Sequence, residues 1–145
     1  MNLTSPAFED GAEIPGKYSC VGDDVSPPLA WDGAPADAKA LVLIVDDPDA
    51  SGFVHWVAFD IPVTTSQLPE GASAGDASLR QGTNSFGKAR WRGPCPPSGT
   101  HHYRFRLLAV REPLGLTGAP TAEKVLAAAE PQILTETTLT GLFHR

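Results

Sequence analysis

Glycine and proline are clustered along this chain, and their spacing restricts the fold more than any other feature of the sequence. There are 14 of each, concentrated at residues 15–16, 27–28, 33–35, 93–99 and 113–120. The segments between these clusters are short and suit strands joined by long, shaped loops. Because no linker or internal repeat divides the chain, residues 1–145 are predicted to form a single, mostly β domain.

Three segments predict the main strands. Residues 40–46 form one strand, and all of them except the final Asp46 are apolar. A continuous apolar run of this kind is typical of a central strand buried on both faces. Residues 53–61 form a second strand, and a period of two would give one shared face to Phe53, His55, Val57, Phe59 and Ile61. Residues 101–110 form a third, with His101, Tyr103, Phe105, Leu107 and Ala109 on one face and His102, Arg104 and Arg106 on the other.

The rest of the chain contributes fewer regular elements. Residues 121–130 predict the best helix, because Thr121 can cap its start, alanine favours its interior and Pro131 stops it. The tail at 137–143 predicts a last strand, and residues 63–82 are expected to be mostly loop.

Charge and hydropathy exclude several classes of partner. The chain has 11 Lys and Arg against 17 Asp and Glu, a net charge of −6. It therefore lacks the broad basic surface that nucleic acid or an anionic membrane requires. The longest apolar run, 40–45, is too short to span a bilayer, and the N-terminus has no signal-peptide pattern. These features predict a cytoplasmic protein with no integral membrane association.

The two cysteines, Cys20 and Cys95, leave two alternatives open. They are either free thiols in a reducing cytosol or a disulfide closing a loop of about 75 residues, which would contribute on the order of 4 kcal/mol. No Cys-x-x-Cys pairing is present, so they are not predicted to form a zinc site.

Three segments carry candidate chemistry. Asp47 and Asp49 flank Pro48 directly after the buried strand, where carboxylates need partners. His55 and His101 occupy apolar strand faces, on which an imidazole also needs a polar partner, and Tyr103 shares the face of His101. Pro96 and Pro97 lie in a rigid run that could form one wall of a site. Together these residues predict a small pocket for a phosphate, sulfate or phospho-headgroup.

Other interpretations of the same residues are an enzyme and a metal site. His55 or His101 could act as a general base in the hydrolysis of phosphate or carboxylic esters, but no activated nucleophile is visible. His55, His101 and the acids could ligate zinc or calcium. The neighbouring His101 and His102 point to opposite faces of a strand, so they cannot share a metal. We therefore predict a binding protein with no catalytic residue, no cofactor and no metal.

The chain resembles the phosphatidylethanolamine-binding protein family, also known as Raf-kinase-inhibitor-like proteins, and is most similar to its bacterial and archaeal branch. Five stretches carry the resemblance, which runs from about residue 14 to the C-terminus: Ser26–Trp31, Asp47–Ala50, His55–Trp56, Asn84–Gly93 and Gly93–Tyr103. The usual pattern has Pro after Asp-Pro-Asp-Ala, where this chain has Ser51, so the shape of that loop stays open. The middle residue of His-x-Tyr is often Arg and is His102 here.

The resemblance implies a large antiparallel sheet packed on a smaller one in a Greek-key arrangement, with one or two peripheral helices. It also implies an anion pocket, in which the family's ligand-binding positions correspond to Asp47, Asp49, His55, Pro96, Pro97, His101 and Tyr103. A homodimer and a kinase or protease as regulated partner are further implications. Cys20 and Cys95 both fall in loops beside this pocket, which strengthens the disulfide alternative without deciding it.

Overall fold

The central strand of the fold is the one with the most continuously apolar sequence. The structure, a computed structural model, describes all 145 residues. Strand β3, Ala40–Asp47, is buried along its whole length and lies in the middle of a five-stranded sheet. Both of its faces are covered, which explains why its apolar residues do not alternate with polar ones. The sequence-based prediction for this segment is confirmed.

Eight strands form two antiparallel sheets. The larger sheet has the order β6-β4-β3-β7-β8 and the smaller the order β1-β2-β5. Besides β3, the strands are β1 Asn2–Thr4, β2 Leu29–Asp32, β4 Phe53–Pro62, β5 Gln67–Leu68, β6 Arg80–Gln81, β7 His101–Val110 and β8 Ile133–Phe143. The predicted fold class, a large antiparallel sheet packed on a smaller one with few helices, is confirmed.

Two helices lie outside the sheets. Helix α1, Ala72–Gly75, is a single turn, and α2, Ala122–Ala129, follows the predicted cap, since the Thr121 hydroxyl accepts a hydrogen bond from the Lys124 amide at 3.3 Å. Segment 63–82 is mostly loop, as predicted, and is interrupted only by the short elements β5, α1 and β6. Strand β8 begins four residues before the predicted start. None of the helices has the length and apolar character needed to cross a membrane.

The large sheet separates two hydrophobic cores. The larger core lies between the sheets and includes Trp31, Trp56, Trp91 and Phe105, and the smaller lies under α2 around Val125. Strand β7 alternates as predicted, with Tyr103, Phe105, Leu107 and Ala109 in the larger core. On its other face Arg104 and Arg106 are only partly buried, and the later residues Leu108 and Val110 join the smaller core.

Strand β4 does not keep the predicted period of two. Its pairing with β3 shifts between Val45–Trp56 and Asp46–Val54, which leaves His55 as an extra residue, and shifts again near Asp60, whose φ is +50°. These are β-bulges, which re-aim the side chains that follow. The expectation that Phe53, His55, Val57, Phe59 and Ile61 share a face is therefore wrong. Val57 and Phe59 belong to the core under α2, and Ile61 belongs to the core between the sheets.

Candidate functional site

Three acids, two at the end of β3 and one in the turn that follows, each contact a different basic side chain of the neighbouring strand β7. Asp46 is paired with Arg104 of β7, whose Nε and Nη2 donate to its two carboxylate oxygens at 2.8 Å. Asp47 is paired with His101 and Asp49 with His102. Because β3 and β7 are antiparallel neighbours, three acids and three basic side chains that are more than 50 residues apart in sequence pair where the end of β3 meets the start of β7.

Asp47 is the acid that points into the protein. Its side chain is only 3% exposed, and its Oδ2 lies 2.5 Å from Nδ1 of His101. Its Oδ1 accepts the amide of Asp49 at 2.9 Å, which caps the short 3₁₀ turn begun by Pro48. One carboxylate therefore both shapes the turn and holds the imidazole of His101.

His55 is held by the loop that precedes β7. Its Nδ1 lies 2.6 Å from the carbonyl oxygen of Arg92, and its own carbonyl accepts the Arg92 amide at 3.1 Å. Since a carbonyl can only accept, Nδ1 carries the hydrogen and Nε2 is left as the free ring nitrogen. Burial is the main influence on this ring and lowers the pKa of His55 below its ordinary value, so the imidazole is neutral at pH 7.

Tyr103 lies between the two histidines. Its ring meets the edge of His55 at 5.2 Å between centroids and stacks on His101 at 6.4 Å. Burial, followed by the charges of Asp47 and Asp49, raises the pKa of the Tyr103 hydroxyl well above its usual range. The hydroxyl therefore keeps its hydrogen and can donate it.

These side chains line one cavity of about 350 Å³. Six of the seven residues predicted from the sequence belong to its wall: Asp47, His55, Pro96, Pro97, His101 and Tyr103. The seventh, Asp49, does not. Its Oδ2 accepts the amide and Nδ1 of His102 at 2.7 and 2.8 Å on the outer side of β7, and those hydrogen bonds lower the pKa of Asp49.

The proline wall is anchored at both ends. Cys95 forms a disulfide with Cys20, so the alternative of two free thiols does not hold in this structure, and both cysteines line the cavity. On the other side the Pro96 carbonyl accepts Nε of Arg145 at 2.8 Å. Gly93 lets the loop pass close to its neighbours, since a Cβ there would lie 2.0 Å from the Tyr18 carbonyl oxygen. The wall is therefore fixed before any ligand arrives.

Sequence reasoning missed three residues of the cavity mouth. Phe53 and Phe86 meet edge to face at 4.9 Å, each beside the ring of His55. The guanidinium of Arg92 lies 4.9 Å from the centre of the Phe86 ring, and its Nε is 3.8 Å from Asp24 Oδ2. Phe86 and Arg92 fall inside the Asn84–Gly93 stretch, which was the only signal in the sequence that could have identified them.

The loop after Ala50 departs from the usual family pattern. Ser51 has a φ of +57°, a left-handed value that the ring of a proline forbids. The chain therefore turns back into β4 by a path that the more common Pro would not permit. Ala50 still reaches the cavity, and Asp47 keeps its place.

The chemistry available in the cavity is hydrogen bonding and proton exchange. Its wall contains no serine or threonine, and both of its cysteines are in the disulfide. The only hydroxyl is that of Tyr103, whose raised pKa makes it a poor nucleophile. No group of three or more His, Cys, Asp or Glu side chains is arranged to hold a metal ion. Two imidazoles and a phenol line this one cavity, and such groups bind an oxyanion when they carry a hydrogen to donate.

A larger groove adjoins the cavity and shares Cys20 and Arg92 with it. It measures about 730 Å³, and its wall carries Asp23 and Asp24 as well as Arg90 and Arg92. None of the seven predicted ligand-binding residues lies there. Opposite charges therefore share this groove, and the imidazoles are confined to the smaller cavity.

Comparison with known proteins agrees with the fold. The family model described as phosphatidylethanolamine-binding protein matches residues 4–144. A UPF0098 protein from Methanothermobacter thermautotrophicus is 47% identical over 151 residues, covering the whole of this chain and 99% of the relative. LppC from Mycobacterium tuberculosis, whose name marks it as a lipoprotein candidate, is 43% identical and covers 91% of this chain, which spans 68% of that relative.

Two solved structures have the same fold. The crystal structure of CT736 from Chlamydia trachomatis, described as a candidate homologue of phosphatidylethanolamine-binding proteins, gives a TM-score of 0.93 at 36% identity, covering 99% of this chain and 96% of that one. YbcL from E. coli, described as a member of the mammalian family, gives 0.92 at 28% identity, covering 99% and 98%.

Proposed function

Because the chain belongs to the phosphatidylethanolamine-binding protein family, we propose that its cavity binds the phosphate-type head group of an anionic ligand. The observation that carries the proposal is the meeting of His55, His101 and Tyr103 in one cavity of about 350 Å³. His55 comes from β4 and the other two from β7, the strands on either side of β3. A rigid sheet therefore supports all three groups, as a preorganised anion site requires.

The wall of the cavity combines polar and apolar side chains. The Phe53 and Phe86 rings pack against His55, and Pro96 and Pro97 also line the cavity, so apolar surface lies beside its polar atoms. This arrangement supports a ligand with a small charged head and an apolar neighbour. The net charge of −6 works against a general attraction for anions, so affinity must come from the site itself.

Titration calorimetry with inorganic phosphate tests this function. We expect His101→Gln to weaken binding about tenfold or more, since a lost hydrogen bond to a charged group is worth about 1.5–3 kcal/mol. His102→Gln is the matched control, because its side chain is 54% exposed on the opposite side of β7. Binding that is absent in the wild type, or equal in both variants, contradicts the proposal.

We propose a binding module rather than an enzyme. The hydrolase alternative needs a nucleophile or an activated water, and the wall offers no serine, threonine or free thiol. Release of phosphate from generic esters, abolished by His101→Ala, is the result that would favour the hydrolase instead.

Regulation of a protein kinase or a protease is the finer part of the proposal, and it rests on the family resemblance. Assays against a panel of kinases and serine carboxypeptidases check it, and a regulator should inhibit a member of the panel in a manner that phosphate competes away.

A homodimer is also proposed from the resemblance. Sedimentation equilibrium should then give twice the chain mass of 15.3 kDa, and a mass equal to one chain contradicts it.

The cytoplasmic location predicted from the sequence stays a prediction. The Cys20–Cys95 disulfide is a bond that usually persists in oxidising compartments, and the relative LppC is a lipoprotein candidate. Fractionation of the source cells, with thiols trapped at lysis, checks the location. Recovery of the oxidised protein outside the cytoplasm contradicts the prediction.

A further inference from the structure

Three polar atoms reach the cavity without a partner in the protein. Every fully enclosed side-chain nitrogen or oxygen has a hydrogen-bond partner. Nε2 of His55, Nε2 of His101 and the Tyr103 hydroxyl make no hydrogen bond within the chain, although His55 is 5% exposed and Tyr103 only 1%. These atoms are therefore accessible, and the space that reaches them is the cavity that their side chains line.

In their neutral forms, with the hydrogen on Nδ1, the two imidazoles would present lone pairs to that space. The hydrogen on Nδ1 of His55 is donated to the Arg92 carbonyl, and the hydrogen on Nδ1 of His101 to the Asp47 carboxylate. A neutral ring with its hydrogen on Nδ1 has a lone pair on Nε2. Only the Tyr103 hydroxyl then offers a hydrogen, whereas an oxyanion consists of acceptors.

The negative charges around the imidazoles also disfavour an anion. Asp47 and Asp24 both lie close enough to His55 to favour its charged form, and Asp47 is in direct contact with His101. Asp49 is engaged by His102, and its charge also lies near His101. The one cation in the wall, Arg92, lies over Phe86 and near Asp24. An anion entering a site with neutral imidazoles would meet lone pairs and a buried carboxylate.

We propose that the cavity takes up an oxyanion together with about one proton, which adds to Nε2 of His55 or His101. The inference rests on the proposed function and specifies its ligand. The proton comes either from solvent or from a P–OH group of the ligand; an N–H bond forms as an O–H bond breaks, and the new N–H donates to the anion. The positive charge of the protonated ring then lies close to the Asp47 carboxylate as well as to the anion.

The proposal predicts selectivity among oxyanions. Phosphate and its monoesters lose their second proton near pH 6 to 7, so they can bring a hydrogen with them. Sulfate carries no hydrogen in this range, so its proton must come from solvent onto an imidazole. The cavity should therefore prefer phosphate to sulfate at neutral pH, and the preference should shrink as the pH falls.

Calorimetry with sulfate isolates the proton taken up by the protein, because sulfate itself does not titrate. Between about pH 6.5 and pH 8, the sulfate affinity should fall about tenfold per pH unit for one linked proton. Repeating the titration in buffers of different ionisation enthalpy counts the protons directly, and the expected count is about one. Sulfate binding that is flat with pH, with no proton uptake, overturns the inference and leaves the proposed function intact.

Variants locate the proton. His55→Gln and His101→Gln each remove one titrating ring, and the variant that lacks the carrier should lose most of the pH dependence. His102→Gln should keep it, because that ring lies outside the cavity wall. If all three variants keep the wild-type pH dependence, the inference is overturned. If the wild type binds neither anion at any pH in the range, the proposed function fails first.

Discussion

Two neighbouring His–Asp pairs join the same two segments of this chain, yet their surroundings are opposite. Asp47 and His101 have side chains that are 3% and 18% exposed, whereas Asp49 and His102 are 41% and 54% exposed. The contact distances are similar, 2.5 and 2.8 Å. Because successive strand residues point to opposite faces, one step along β7 moves the same chemistry from the cavity wall to the outer surface.

The difference shows that burial, and not the presence of a His–Asp contact, marks the candidate site. The exposed pair is screened by water and fastens the turn after β3 to β7. The buried pair fixes which nitrogen of His101 faces the cavity, because the Asp47 carboxylate can only accept a hydrogen.

Removing the disulfide beside the buried pair should lower the free energy of unfolding more than any other change. The variant Cys20→Ser/Cys95→Ser should lose about 4 kcal/mol of unfolding free energy, since the bond closes a loop of 75 residues. Urea unfolding measures this loss. Phosphate affinity should fall as well, because the proline wall is released on one side. A loss below about 1 kcal/mol would show that the loops are held by other contacts.

Replacing each acid by alanine should lower the stability of the protein by different amounts in the two pairs. Asp47→Ala leaves the Nδ1–H of His101 and the amide of Asp49 without their acceptor, at a cost of about 3 kcal/mol. Asp49→Ala should cost less than about 1 kcal/mol, as is usual for an exposed pair. Chemical denaturation of both variants checks the order. Equal losses would remove the distinction between the pairs.

The buried cavity should also make stability depend on pH. The pKa of His55 is lowered in the folded state, so the unfolded chain binds a proton first as the pH falls. The contribution is present above the ordinary pKa of about 6.5 and is lost progressively as the pH falls below it. His55→Gln should flatten this loss in unfolding experiments without added anion. An unchanged loss would contradict the neutral state of His55.

Double-mutant cycles should give a small difference in coupling free energy between the two His–Asp pairs. We expect the coupling free energy of Asp49 with His102 to be about 0.5 kcal/mol or less, because both side chains are exposed. The cycle for Asp47 with His101 should exceed about 1 kcal/mol. A larger coupling in the exposed pair would mean that solvent screening does not explain the comparison.

Much of this arrangement could be predicted from the sequence because it depends on local patterns. The apolar run of β3, the alternation in β7 and the cap at Thr121 each follow from neighbouring residues. The acids after β3 had to find partners because they end a buried strand, and the structure supplies one for each.

The parts that could not be predicted depend on backbone irregularities and on distant loops. The bulge at His55 turns the side chains that follow it to the opposite face of the sheet. The local sequence pattern does not indicate the extra residue. Asp49 turns away from the cavity because the turn begun by Pro48 directs it to the outer side of β7. Phe86 and Arg92 reach the cavity from a loop, and Asp24 lies beside Arg92 in the adjoining groove; the paths of such loops depend on the whole fold.

Imidazole NMR of the four histidines tests the central claim most directly. On addition of phosphate near pH 7, the ring-nitrogen resonances of His55 and His101 should shift in a saturable way, and Nε2 of one should take on the shift of a protonated nitrogen. The resonances of His102 and His144 should stay in place, because both rings lie outside the cavity. Shifts confined to His102 or His144, or no shift at all, would contradict the account.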